Sequence, residues 1–167
     1  MAIKPTIRVQ AEDFSLADEV AAITTGRTDI GAVVTFTGRC RDEGGVLATL
    51  ELEHYPGMAE KEIGKVVATA EERWSLQAVT IVHRYGSIKP GDQIVLVATA
   101  SWHRGDAFQA AEFLMDFLKT RAPFWKRQKL ADGTSGGWIS AKSEDAAAAR
   151  RWSSDPDSSE VDADASS

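Results

Sequence analysis

Apolar positions along the chain follow two periods in alternation, one near two residues and one near 3.6. Residues 6–10 (TIRVQ) read as a strand, and Ser15 is placed to cap a helix running to about Ile23, with Asp18 and Glu19 in its first turn. The β-branched run 31–37 (GAVVTFT) predicts a buried strand ending at Gly38. Alternation over 47–55 (LATLELEHY) predicts a half-buried strand with Leu50, Leu52 and His54 on one face. Pro56-Gly57 then turns the chain into a helix over 58–74, where Ile63, Val66, Val67, Ala70 and Trp74 share a stripe. Strands over 78–85 and 93–101 are joined across Lys89-Pro90-Gly91-Asp92. After Trp102-His103-Arg104-Gly105, Asp106 and Gln109 have the form of a capping box, opening a helix whose core stripe is Phe108, Ala111, Leu114, Met115 and Leu118. Pro123 ends that helix near Arg121. Gly136-Gly137 leads into a short strand over 138–141, and Ser143 is placed to cap a last helix reaching Trp152. Strands and helices mixed without a strict βαβ rhythm predict an α+β fold.

Composition adds exclusions. With 167 residues, 43% hydrophobic, the chain is long enough for one domain that stands on its own core. A single cysteine, Cys40, can form neither an internal disulfide nor a thiolate zinc site. His54, His83 and His103 lack metal-ligand spacing, so no metal is expected. The pairs Gly44-Gly45 and Gly136-Gly137 fit no phosphate-loop or dinucleotide pattern. The most apolar stretch, 94–100, is far short of the ~20 residues of a membrane span, and the polar N-terminus is no signal peptide, which predicts a cytoplasmic protein.

Charge divides the chain. Residues 153–167 hold five acids and no base, and a segment so poor in apolar residues is expected to be a disordered acidic tail behind a domain over 1–152. Without that tail, 19 bases face 20 acids, and against this nearly neutral background 119–129 (KTRAPFWKRQK) concentrates five bases. Such a patch suits a small anionic ligand better than a nucleic-acid backbone.

Three basic clusters fall at the ends of predicted elements. Arg39 and Arg41 follow Gly38 and share one side if the chain stays extended; they are either a binding pair or a solvated loop. Cys40 lies between them, where two guanidiniums would lower a thiol pKa. His103-Arg104 stands where a strand hands over to a helix N-terminus, a place for a phosphate or an ordinary loop. Lys119 and Arg121 either complement a helix dipole or, with Lys126 and Arg127 across Pro123-Phe124-Trp125, form ammonium groups against apolar walls, a setting that lowers a lysine pKa or orients it for proton transfer. Phe124 and Trp125 could also stack the bases of a single strand, but the net charge of −6 opposes that use.

The segments GAVVTFTGRCR, LELEHYPGMAEKEI, HRYGSIKPGDQIV, the His103-Arg104 pair before a helix, and above all MDFLKTRAPFWKR closely resemble the large, catalytic subunits of molybdopterin synthases, from about residue 5 to Trp152. The resemblance implies an α/β-hammerhead-like fold. It implies a sulfurtransferase that converts cyclic pyranopterin monophosphate to the dithiolene molybdopterin, in molybdenum cofactor biosynthesis. Sulfur would come from the thiocarboxylated Gly-Gly C-terminus of a small ubiquitin-like carrier subunit. A homodimer with one carrier at each end, a heterotetramer, is implied too, with no cofactor and no metal. By the same resemblance Lys119 is the central active-site residue and Lys126 assists it. Arg39, Cys40 and Arg41 form a substrate-contacting loop, His103 and Arg104 contact phosphate and pterin, Lys126 with Arg127 forms the second basic segment, and Gln128 beside them binds substrate.

Two departures stand out: the loop after Arg41 is shorter than in some relatives, and Lys142 replaces an arginine, losing a bidentate donor. The reading from another class is a non-enzymatic dimeric module that holds a phosphorylated metabolite. Turnover of pterin with thiocarboxylated carrier separates the two.

Overall fold

The computed structural model describes residues 3–42, 44–139 and 143–153. Twelve elements follow one another: β1 (Thr6–Gln10), α1 (Leu16–Thr24), β2 (Ala32–Arg39), β3 (Leu47–His54), α2 (Met58–Arg73), β4 (Leu76–Arg84), β5 (Gly86–Ile88), β6 (Gln93–Ser101), α3 (Arg104–Thr120), β7 (Phe124–Leu130), β8 (Ser135–Ile139) and α4 (Ser143–Arg150). The architecture is α+β, as the mixed pattern predicts. One sheet has the order β1-β4-β6-β2, with only β1 and β4 parallel; the second, β5-β3-β7-β8, is antiparallel throughout.

The main core lies where α2 and α3 cover the first sheet. Ile63, Val67 and Ala70 of α2 and Ala110, Leu114 and Leu118 of α3 close over Val79, Ile81 and Val97. On the other face, Phe14 packs with Val82 and Leu96, so the central strands are covered on both sides and are buried along most of their length. Ser15 caps α1 through a hydrogen bond from the Asp18 amide, as its position predicts.

Several expectations are corrected. β2 is an edge strand, so Phe36 is 40% exposed where a buried strand was expected. β4 begins at Leu76, and the connection to β6 holds the extra strand β5, which crosses into the second sheet beside β3. Helix α3 starts at Arg104, capped at His103 without a side-chain bond. Asp106 instead accepts from the Ser75 amide and Gln109 from the Trp74 indole, so both tie the helix to the end of α2. Phe108 is 59% exposed and Ala107 takes its place in the core. The helix is fixed with that face to the sheet: the Thr99 hydroxyl donates to the Ala107 carbonyl at 2.7 Å, and Ala107 is fully buried. The basic stretch after Pro123 is strand β7, and β8 starts at Ser135, running through the glycine pair that was expected to precede it. The end of that strand, Lys142 and residues 154–167 of the acidic tail lie outside the described residues.

Trp152 closes the fold. Its ring meets Trp74 and Phe113 edge-on at 5.7 and 5.6 Å, and its indole nitrogen donates to Asp116 at 2.6 Å. Trp152→Ala should cost about 2–3 kcal/mol, read as a lower urea midpoint with an unchanged slope; an unchanged midpoint would show that this ring adds nothing to the core.

Candidate active site

Between the two sheets and the end of α3 lies a cavity of about 550 Å³. Three cations reach it from three elements: Arg39 from β2, Lys119 from the last turn of α3 and Lys126 from β7. Each position has a local cause. A register shift between Gly38 and Arg39 breaks the β2–β6 ladder there, and the Arg39 guanidinium donates to the Gly91 carbonyl at 2.9 Å. Lys119 is at the carbonyl end of α3, which ends at the Arg121 cap before Pro123. Lys126 shares a strand face with Phe124 by the two-residue period, and strand pairing opposite Leu52 holds it in place.

The walls are apolar. Phe36, Val95, Met115, Leu118, Phe124 and Ile139 line the cavity beside the cations, an environment in which charge–charge attraction is less screened than in bulk water. Glu144 and Asp145, in the first turn of α4, supply acid at one margin. A second cavity, about 350 Å³, lies among α2, α3 and α4, where Lys65 pairs with Glu62, the Arg73 guanidinium donates to the Trp152 carbonyl, and Asp116 accepts from Arg151 and Trp152. The first cavity is the one in which cations from three elements converge beside apolar walls, which suits it to an anion.

The other expected site residues are distributed differently. Cys40 is 3% exposed and packs in a satellite core with Leu47, Leu52 and Ile88, turned away from the cavity. Burial, with Asp92 and Asp42 adding to it, pushes its thiol pKa up, the reverse of what two flanking arginines suggested. Arg41 is exposed and does not line the cavity. Arg127 points to the opposite face of β7, its guanidinium 5.0 Å over the Trp138 ring, and Gln128 lies further along the strand, paired with Leu50. His103 and Arg104 are exposed at the far end of α3, about 22 Å from Lys119 along the helix axis.

Two features were missed. His83 of β4 lines the cavity, although the sequence suggested only a histidine without metal partners. The acids of α4 reach its margin because β8 returns along β7 and α4 packs against α3, contacts that the periodicity of these residues does not reveal. Among the described residues, no group of three His, Cys, Asp or Glu side chains could hold a metal ion, and no helix is long and apolar enough to cross a membrane.

Residues 9–121 match the family described as MoaE protein. The chain is 60% identical to the molybdopterin synthase catalytic subunit of Mesorhizobium japonicum over 152 residues, covering 91% of this chain and 96% of that one. Among solved structures it is similar to the molybdopterin biosynthesis MoaE protein of Burkholderia ambifaria (50% identity, TM-score 0.77, 91% and 100% of the two chains covered). It is also similar to molybdopterin synthase from Staphylococcus aureus (33% identity, TM-score 0.71, 78% and 94% covered). With a fold and a sequence that agree over most of its length, the chain belongs to the MoaE family of molybdopterin synthase catalytic subunits.

Proposed function

We propose that the protein is the catalytic, sulfur-transferring subunit of a molybdopterin synthase, acting on cyclic pyranopterin monophosphate with sulfur from a small thiocarboxylated carrier. The observation that carries this reading is the convergence of Arg39, Lys119 and Lys126 on one apolar-walled cavity. The substrate phosphate, the thiocarboxylate and the carboxylate left after transfer are all anions, so fixed cations serve substrate and carrier alike. The Lys119 ammonium is placed to stabilise an oxyanion formed at the carrier's acyl carbon, and Lys126 assists from the β7 wall. The protein is expected to work in the cytoplasm. Reconstitution with pterin substrate and thiocarboxylated carrier should give the dithiolene product; tight binding without turnover would instead support a phosphometabolite-binding module.

His103 and Arg104 enter this reading through a homodimer. Some 22 Å separates them from Lys119 within one chain, so they serve the same substrate only if a second copy brings its α3 N-terminus to the cavity. Arg104→Ala should weaken pterin binding by about 1.5–3 kcal/mol, the loss of one charged hydrogen bond. Mixing Arg104→Ala with Lys119→Ala chains should restore part of the activity, because each mixed dimer regains one intact site. Unchanged pterin affinity, or no recovery on mixing, would detach these residues from the site.

A further inference from the structure

His83 is the buried titratable group of the cavity that the foregoing chemistry leaves unused. It lies near the end of β4, 5% exposed, and lines the cavity with Arg39, Lys119 and Lys126. Its ring is fixed in two ways. The Nδ1 atom is 2.8 Å from the Arg84 carbonyl, and a carbonyl can only accept, so Nδ1 carries the proton. The ring also lies flat on Phe124, with centroids 3.7 Å apart and 14° between the planes. Nε2 is thus the lone-pair nitrogen, and it makes no hydrogen bond among the described residues.

The groups around this imidazole are of both signs. Arg84 adjoins it on β4, Arg39 faces the cavity from β2, Lys119 from α3, Lys126 from β7, and Glu144 and Asp145 from α4, with His54 of β3 across Phe124. Burial, with smaller contributions from Lys126, His54 and Lys119, pushes the His83 pKa down to about 4, so the ring is neutral at pH 7. Binding an anionic substrate changes the field at this ring. A phosphate and a carboxyl group offset the cations and raise the proton affinity of Nε2, so the base strengthens when there is substrate to act on.

We propose that His83 Nε2 takes the proton from the water that releases the spent carrier, a role resting on the sulfur-transfer reading above. In this scheme water supplies the oxygen that the balance of atoms requires. A carrier that arrives as a thiocarboxylate and leaves as a carboxylate must gain an oxygen for the sulfur it gives up. Once its sulfur has added to an electrophilic C=O carbon of the pterin side chain, the π pair passing to the oxygen, which takes a proton, the carrier is an acyl thioester. The water oxygen then bonds to the acyl carbon, one water proton passes to Nε2, and the Lys119 ammonium holds the oxyanion. The acyl C–S bond breaks with its electron pair on sulfur, His83 returns its proton to that thiolate, and the second water proton leaves the new carboxyl group. No oxidant or reductant is consumed.

The test is single turnover of the full chain with carrier and pterin, following the intact mass of the carrier. His83→Phe keeps a ring to stack on Phe124 but has no lone pair; His83→Gln keeps a polar group that is not basic. Both should bind carrier as the unaltered protein does and accumulate the carrier–pterin acyl adduct, with its hydrolysis slowed ~100-fold or more. Hydrolysis by the unaltered protein should fall as pH is lowered through the His83 pKa of the complex, a limb both variants lack. If one variant does not fold, the other decides. Adduct hydrolysis within threefold of normal, activity retained by Phe alone, or lost product with no adduct would each overturn the proposal. Failure of the unaltered protein to form any dithiolene would instead overturn the sulfur-transfer reading, and this proposal with it.

Discussion

Lys119→Ala should lose dithiolene formation by ~100-fold or more while keeping its fold and its affinity for the carrier. The expectation follows from where α3 ends. Lys119 is in the last helical turn, which by itself is an ordinary place for a cation that complements the dipole, and losing that role costs at most about 1 kcal/mol of stability. Here, however, the same turn opens onto a cavity shared with Arg39 and Lys126, so its ammonium stands among groups that bind anions. The two roles predict opposite patterns. A dipole cation gives a small change in melting temperature and normal turnover; an oxyanion-stabilising ammonium gives normal melting and almost no turnover. Lys126→Ala should be impaired less completely, because Lys119 and Arg39 still hold the anions. Near-normal product formation by Lys119→Ala would remove this lysine from the chemistry and leave the cavity as a binding site.

How far this arrangement was legible in the sequence depended on the range of the interaction involved. Strand β1, the Ser15 cap, the stripe of α2 and the end of α3 rest on neighbouring residues, and all lie where the pattern places them. The placement of Arg39 and Lys119 at element ends was legible for the same reason, whereas Lys126 lies inside β7. What the pattern missed is set by pairing across the chain. Residues 124–130, rich in bases, become β7 because β3 and β8 hydrogen-bond to them on either side. Phe108 and Ala107 are equally compatible with a helical stripe, and it is the docking of α3 on β6, where Thr99 bonds the Ala107 carbonyl, that turns Ala107 inward. Cys40 between two arginines looked electropositive, yet its side chain turns to Leu47, Leu52 and Ile88, and burial decides its ionisation.

Phe124→Ala should lower both stability and activity, because this ring joins the two sheets. Phe124 opens β7 opposite His54 in the second sheet, and its other side carries the His83 ring of the first sheet. Tyr85 extends the stack beyond His54, at 4.4 Å between centroids. Removing the ring of a half-buried phenylalanine should cost about 2–3 kcal/mol, below the ~3–5 of a fully buried one. The functional loss has a separate origin. Phe124 and Lys126 lie on the same face of one strand, so freedom at the first blurs the position of the second, and a misplacement of about 1 Å can cost ~100-fold in rate. Phe124→Leu should recover most of the stability, because volume returns, but less of the activity, because a flat surface for His83 does not. Melting curves and reconstituted turnover at a temperature where every variant is folded distinguish these effects. Recovery of turnover in strict proportion to stability would show that the ring only fills space, whereas a leucine variant that melts normally and turns over slowly identifies the stack as the joint that aligns the lysine.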